Sequence, residues 1–115
     1  MLLQKTGTGG MNMGVRIFDR IPVLIKVTLN SKTTTCTGTM VNLSETGMFI
    51  RADKIPLLIE PEVEITIPLD EENLRVSGRL IRRENILDYY QGIGIEVVNP
   101  PKKYLDFLEG LISVL

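Results

Sequence analysis

The chain has 115 residues, 43% of them apolar and 23% charged, the balance of one globular domain rather than of a disordered chain. Its net charge of −1 excludes a protein that grips polymeric nucleic acid through general electrostatics, so an anionic ligand would need a local cationic site. Histidine, the commonest general base and metal ligand, is absent, and Cys36 stands alone with no intrachain disulfide partner, which points to a reducing, cytoplasmic setting.

Residues 1–13 carry a Gly/Thr-rich stretch without periodicity and are expected to form a flexible leader, leaving residues 14–115 as a single domain. Gly7, Gly9 and Gly10 are not a phosphate loop, because no Gly-Lys-Ser/Thr follows and no strand precedes them. The N-terminus has no apolar signal core, and no run approaches the length of a membrane span. Neither secretion nor membrane insertion is expected, and the glycosylation sequon at Asn42-Leu-Ser44 is idle.

Arg16 and Arg20 flank Ile17-Phe-Asp19 just before Pro22. A helical i, i+4 pair or a solvated patch served by Asp19 is the plain reading, but Pro22 and the strand beyond it argue against a helix. Val23, Ile25, Val27 and Leu29 then alternate with Leu24, Lys26 and Thr28, the period-2 signature of a strand with one apolar face. Asn30-Ser-Lys32 reads as a turn, and Thr33 to Leu43 as a second strand in which Gly38 suggests a bend or bulge. Asn42-Leu-Ser44-Glu-Thr-Gly47 places an amide, a hydroxyl and a glycine at a reversal, and Met48-Phe49-Ile50 opens a third strand.

A loop with Pro56 and Pro61 leads to Val63, Ile65 and Ile67, which alternate with Glu62, Glu64 and Thr66. The acidic run Asp70 to Asn73 is a hairpin tip; it lacks the spacing of a calcium loop. Leu74, Val76, Gly78 and Leu80 share one face of a fifth strand, with Arg82 and Arg83 at its end. Gly92 to Val97 is the last strand, and its Gly-x-Gly lacks the third glycine of a dinucleotide fingerprint. Asn99, able to cap, and Pro100-Pro101 then open a helix over about 100–114. Its apolar stripe of Tyr104, Leu105, Leu108, Leu111, Ile112 and Leu115 should close one end of the sheet or, failing that, meet a partner. Short strands with turn signals predict an all-β antiparallel sandwich or barrel over about 21–98, and periodicity does not choose between them.

Arg16, Arg20, Asn42, Ser44 and Gly47 satisfy two motifs in order, Arg-x-x-x-Arg and Asp/Asn-x-Ser-x-x-Gly. In this the chain resembles the PilZ family, bacterial receptor domains for cyclic di-GMP, over about residues 14–113. The resemblance implies a six-stranded antiparallel β-barrel with a C-terminal α-helix. It also implies a ligand-binding set: Arg16 and Arg20 on phosphate and guanine, Asn42 and Ser44 on a guanine edge or phosphate, and Gly47 allowing close backbone approach. Arginine suits such a ligand because its planar fork pairs with phosphate or guanine and its face stacks on a base. Asn42 stands where many members have Asp. Val15 stands where some have a further arginine that holds a ligand dimer, so one ligand per domain is expected.

The function implied is a cytoplasmic second-messenger receptor, monomeric or weakly dimeric, that orders its arginine loop around the ligand and relays the signal to an effector protein. The output stays open among motility or biofilm regulation, secretion, polysaccharide synthesis and transcription. The alternative is a PilZ-type interaction module, as in pilus or motility assembly, that binds no nucleotide. Neither a cofactor nor a metal is implied. An enzyme is not expected, for want of a nucleophile–base pair. An oligonucleotide-binding barrel is disfavoured by aromatic content of only 5%.

Overall fold

Branched aliphatics at alternate positions build six strands: β1 (Ile21–Asn30), β2 (Thr35–Leu43), β3 (Gly47–Pro56), β4 (Glu62–Pro68), β5 (Asn73–Ile86) and β6 (Tyr89–Val97). A helix, α1 (Lys102–Ser113), follows. The computed structural model describes residues 20–56, 59–86 and 89–113. The expected leader, Val15 and Arg16 lie outside these residues.

Every strand pairing is antiparallel, in the order β1-β2-β3-β6-β5-β4. The sheet closes on itself where Thr28, Leu29 and Asn30 pair with Thr66, Ile65 and Glu64. That three-pair seam joins the two end strands of the sheet and makes the fold a barrel rather than a sandwich. Leu29, Met40, Ile50, Ile65, Ile67, Ile93 and Ile95 fill the interior without exposure. Each such side chain contributes about 1.5–3 kcal/mol by burial.

The barrel end that carries the β2–β3 and β4–β5 turns is covered by α1. Tyr104 and Leu108 are its buried residues, so the helix closes the end of the barrel as its apolar stripe predicts. Lys103 pairs with Glu72 of the β4–β5 turn at 2.7 Å, and the Tyr104 hydroxyl donates to the Ser44 carbonyl of the β2–β3 turn at 2.6 Å. No helix among the described residues is long and apolar enough to cross a membrane.

Several local expectations are revised. The β1–β2 turn is Ser31 to Thr34, closed by Ser31 N–H donating to the Thr34 carbonyl at 2.8 Å, so β2 begins at Thr35. Pro56 belongs to β3 rather than to a loop, and β5 runs on through Arg82 and Arg83 to Ile86. Gly38 marks no bulge. It pairs regularly with Val27, and a Cβ there would lie 2.7 Å from Ile50 Cγ2 and 2.9 Å from the Arg51 carbonyl. The glycine is a close approach between strands. Asn99 does not cap α1; its backbone sits at φ 48°, and the Pro101 carbonyl accepts the N–H groups of Tyr104 at 2.9 Å and Leu105 at 3.2 Å.

A candidate nucleotide-binding face on the barrel

The site is built by an irregularity in β2. Met40 pairs with Ile50 and Asn42 with Phe49, so Val41 is an extra residue without a partner in β3. Gly38 and Met40 point inward; strict alternation would carry Asn42 inward with them. The bulge resets the phase, so Leu43 is buried and Asn42 stands on the half-exposed outer surface. There Arg20 Nη1 donates to Asn42 Oδ1 at 3.2 Å.

Gly47, the first residue of β3, is the floor beneath that arginine. A Cβ there would meet Arg20 Nη2 at 2.9 Å and the Ile95 carbonyl at 2.8 Å. The glycine is therefore required by the proximity of the β6 backbone and of the arginine. Ser44 is placed differently from its neighbours. It is 3% exposed, and its Oγ accepts the Thr46 N–H at 3.3 Å while lying 3.5 Å from the Gly47 carbonyl. Ser44 N–H donates to the Gly47 carbonyl at 2.8 Å. The hydroxyl thus shapes the turn, and the Ser44 carbonyl is held by Tyr104 beneath. Burial pushes the Tyr104 hydroxyl well above its usual pKa, the nearby Arg20 charge opposing the shift, so it remains a donor across the neutral range.

Arg20, Asn42, Ser44 and Gly47 are therefore brought together, while Arg16 lies outside the described residues. Two further residues belong to the same face and were not assigned from the sequence. Phe49 pairs with Asn42 on one side and Gly94 on the other, and Gly94 pairs with Arg82. An extra residue in β5, Ile81, sets Arg82 on the outer surface, with its guanidinium 5.0 Å from the Phe49 ring centroid. Gly92 and Gly94 make room for the pair: a Cβ at Gly92 would lie 2.6 Å from Phe49 Cζ, and one at Gly94 3.3 Å from Arg82 Cβ. The outer face thus presents, across four strands, a guanidinium on an amide, an aromatic ring and a second guanidinium. The Gly-x-Gly of β6 was the available signal, since alternation puts both glycines outward beside Phe49. The β5 bulge that brings in Arg82 has no mark in the sequence.

Such a face offers forked donors and flat stacking surfaces together, as an anionic ligand with planar bases would need. Among the described residues no group of three or more Cys, Asp or Glu side chains converges. Burial raises the Cys36 thiol pKa, which makes it a poor nucleophile at neutral pH.

The PilZ domain model matches residues 15–113. The chain belongs to the PilZ domain family. Its barrel and helix superpose on the crystal structure of the PilZ domain of CeSA from a cellulose synthesizing bacterium, with a TM-score of 0.64 and 22% identity over 84% of this chain and 97% of that one. They also superpose on the Bacillus subtilis inhibitor of motility (MotI/DgrA), with a TM-score of 0.63 and 15% identity over 82% of this chain and 47% of that longer one. At these identities the likeness is one of fold. No curated protein matches significantly.

Proposed function

We propose that this PilZ domain is a cytoplasmic receptor for cyclic di-GMP that passes the signal to an effector protein and catalyses no reaction. The observation that carries this reading is the placement of Arg20 over Gly47 and against Asn42, which joins the end of one motif to the other on the outer barrel face. Arg16 completes the arginine pair in the segment leading to that face. In this reading the two arginines fork onto phosphate and guanine, and Asn42 exchanges its bond with Arg20 for a guanine edge. Ser44 acts chiefly by holding the turn, with any ligand contact secondary. Phe49 and Arg82 extend the platform on the far side, the ring and guanidinium offering a surface for the second base.

Binding would gather the arginine-bearing segment onto the barrel and change the surface that a partner meets. Control of motility, which the Bacillus subtilis inhibitor of motility carries in its name, is one output that fits such an adaptor. Isothermal calorimetry with cyclic di-GMP, beside cyclic di-AMP and GTP, tests the reading. Selective binding of one molecule per domain is expected. Charge-assisted bonds of about 1.5–3 kcal/mol imply a loss of about tenfold or more in Arg16→Ala and in Arg20→Ala. A folded protein that ignores the ligand would leave the nucleotide-independent interaction module as the reading.

A further inference from the structure

A second surface lies beside the ligand face and is not needed by it. It is an open groove of about 810 Å³ on the outside of the barrel, lined by Leu24, Lys26, Thr39, Val41, Arg51 and Gln91 among others. Its floor is a regular row of cross-strand partners: Lys26 of β1 pairs with Thr39 of β2, and Thr39 with Arg51 of β3. Two cations thus stand two strand spacings apart, about 10 Å, with a threonine between them. Neither pairs with a carboxylate among the described residues, and no described residue lining the groove is acidic. The rim is apolar. Where Pro22 pairs with Asn42 and Ile25 with Met40, two residues of β1 stand opposite the single Val41, and one of them, Leu24, is 82% exposed.

We infer that this groove is the docking site for an acidic, extended segment of another protein. Charge complementarity selects the occupant: carboxylates would meet Lys26 and Arg51, while an aliphatic side chain would cover Leu24 and Val41. A cyclic dinucleotide is a poorer fit. Its bases need flat partners, and the groove's described lining has no aromatic ring, Phe49 lying instead against Gly92. A second copy packed symmetrically, groove to groove, would set its own Lys26 and Arg51 against these cations, so that arrangement is disfavoured. The groove adjoins the ligand face through Val41 and Asn42, so a bound partner would lie next to the arginine segment. The inference nevertheless stands without nucleotide binding.

The test uses the full chain, ¹⁵N-labelled, with a short peptide alternating Glu and Leu and a control peptide alternating Lys and Leu. Amide resonances of Lys26, Thr39, Arg51 and Gln91 should shift with the acidic peptide and not with the basic one. Added salt should weaken the effect. The double variant Lys26→Gln/Arg51→Gln should weaken the peptide about tenfold, because two attractive pairs are lost, while its calorimetry with cyclic di-GMP remains unchanged. Shifts that map elsewhere, survive the double variant, or arise from protein concentration alone would overturn the inference, the last by showing a second copy in the groove. Displacement of the same resonances by cyclic di-GMP in the absence of peptide, abolished by the double variant but not by Arg20→Ala, would overturn it in favour of a nucleotide subsite.

Discussion

At Gly47 a methyl group meets a backbone carbonyl at 2.8 Å and the arginine that the site depends on at 2.9 Å. The carbonyl belongs to β6 and cannot swing aside, so Gly47→Ala must shift either the strand or the arginine. Overpacking of this kind costs about 1–3 kcal/mol, a fall of about 4–8 °C in Tm for each kcal/mol in a domain of this size. Ligand affinity should fall with it, read in the same sample by calorimetry. Gly110 is the opposite case. An added Cβ has nothing within 4 Å on that exposed side of α1. Gly110→Ala should therefore raise stability by about 0.5–1 kcal/mol in thermal unfolding, with no change in binding. The two glycines look alike as letters; only their surroundings separate them.

At the scale of elements, the β2–β3 turn is fastened to α1 by one buried hydrogen bond, from Tyr104 to the Ser44 carbonyl. Tyr104→Phe keeps the ring in place and leaves that carbonyl without its donor, at a cost of about 1–3 kcal/mol. Because Ser44 shapes the turn under Arg20 and Asn42, the variant should also bind cyclic di-GMP more weakly although it removes no ligand contact. Its pH dependence has a defined sign. Burial raises the folded-state pKa of Tyr104 above the ordinary 10.0, so the unfolded chain loses that proton first as pH rises. The stabilisation is present below about pH 10 and is lost progressively above it. The stability gap between the native protein and Tyr104→Phe should therefore narrow in alkaline denaturation curves and stay constant from pH 6 to 9, a range taken from the ordinary tyrosine value. The second fastening, Lys103 to Glu72, is more than half exposed on both sides, and Lys103→Ala should cost no more than about 1 kcal/mol.

The molecule as a whole is held by a seam between distant parts of the chain. Closure requires Thr28–Asn30 to find Glu64–Thr66. Non-local pairing of this kind carries a loop-closure entropy that must be met before the core forms. Refolding in stopped-flow experiments should accordingly take milliseconds to seconds; microsecond folding would mean that local structure dominates instead. The net charge of −1 also places the burden of anion binding on local groups rather than on a general field. Binding of cyclic di-GMP should thus show only a shallow dependence on salt, measured as the change in affinity across ionic strengths.

The sequence by itself determined the strands, the closing helix and the motif residues, because each rests on local chemistry. Alternation at Val63, Ile65 and Ile67 commits β4 to one buried face, and the 3.6-residue spacing of Tyr104, Leu108 and their neighbours commits α1 to another. The two arginine and asparagine motifs could be found as spaced letters. What the tertiary structure decided was phase and closure. The extra residue at Val41 turns Asn42 outward, and the one at Ile81 brings Arg82 over Phe49; neither bulge is written in residue type, since each arises from how two distant strands must register. The choice of barrel over sandwich lay likewise in the β1–β4 seam, a contact between segments whose own patterns would serve either architecture. Side-chain alternation fixes which face is apolar, whereas only the summed twist and register of all six strands fixes which residues come to share the outer surface.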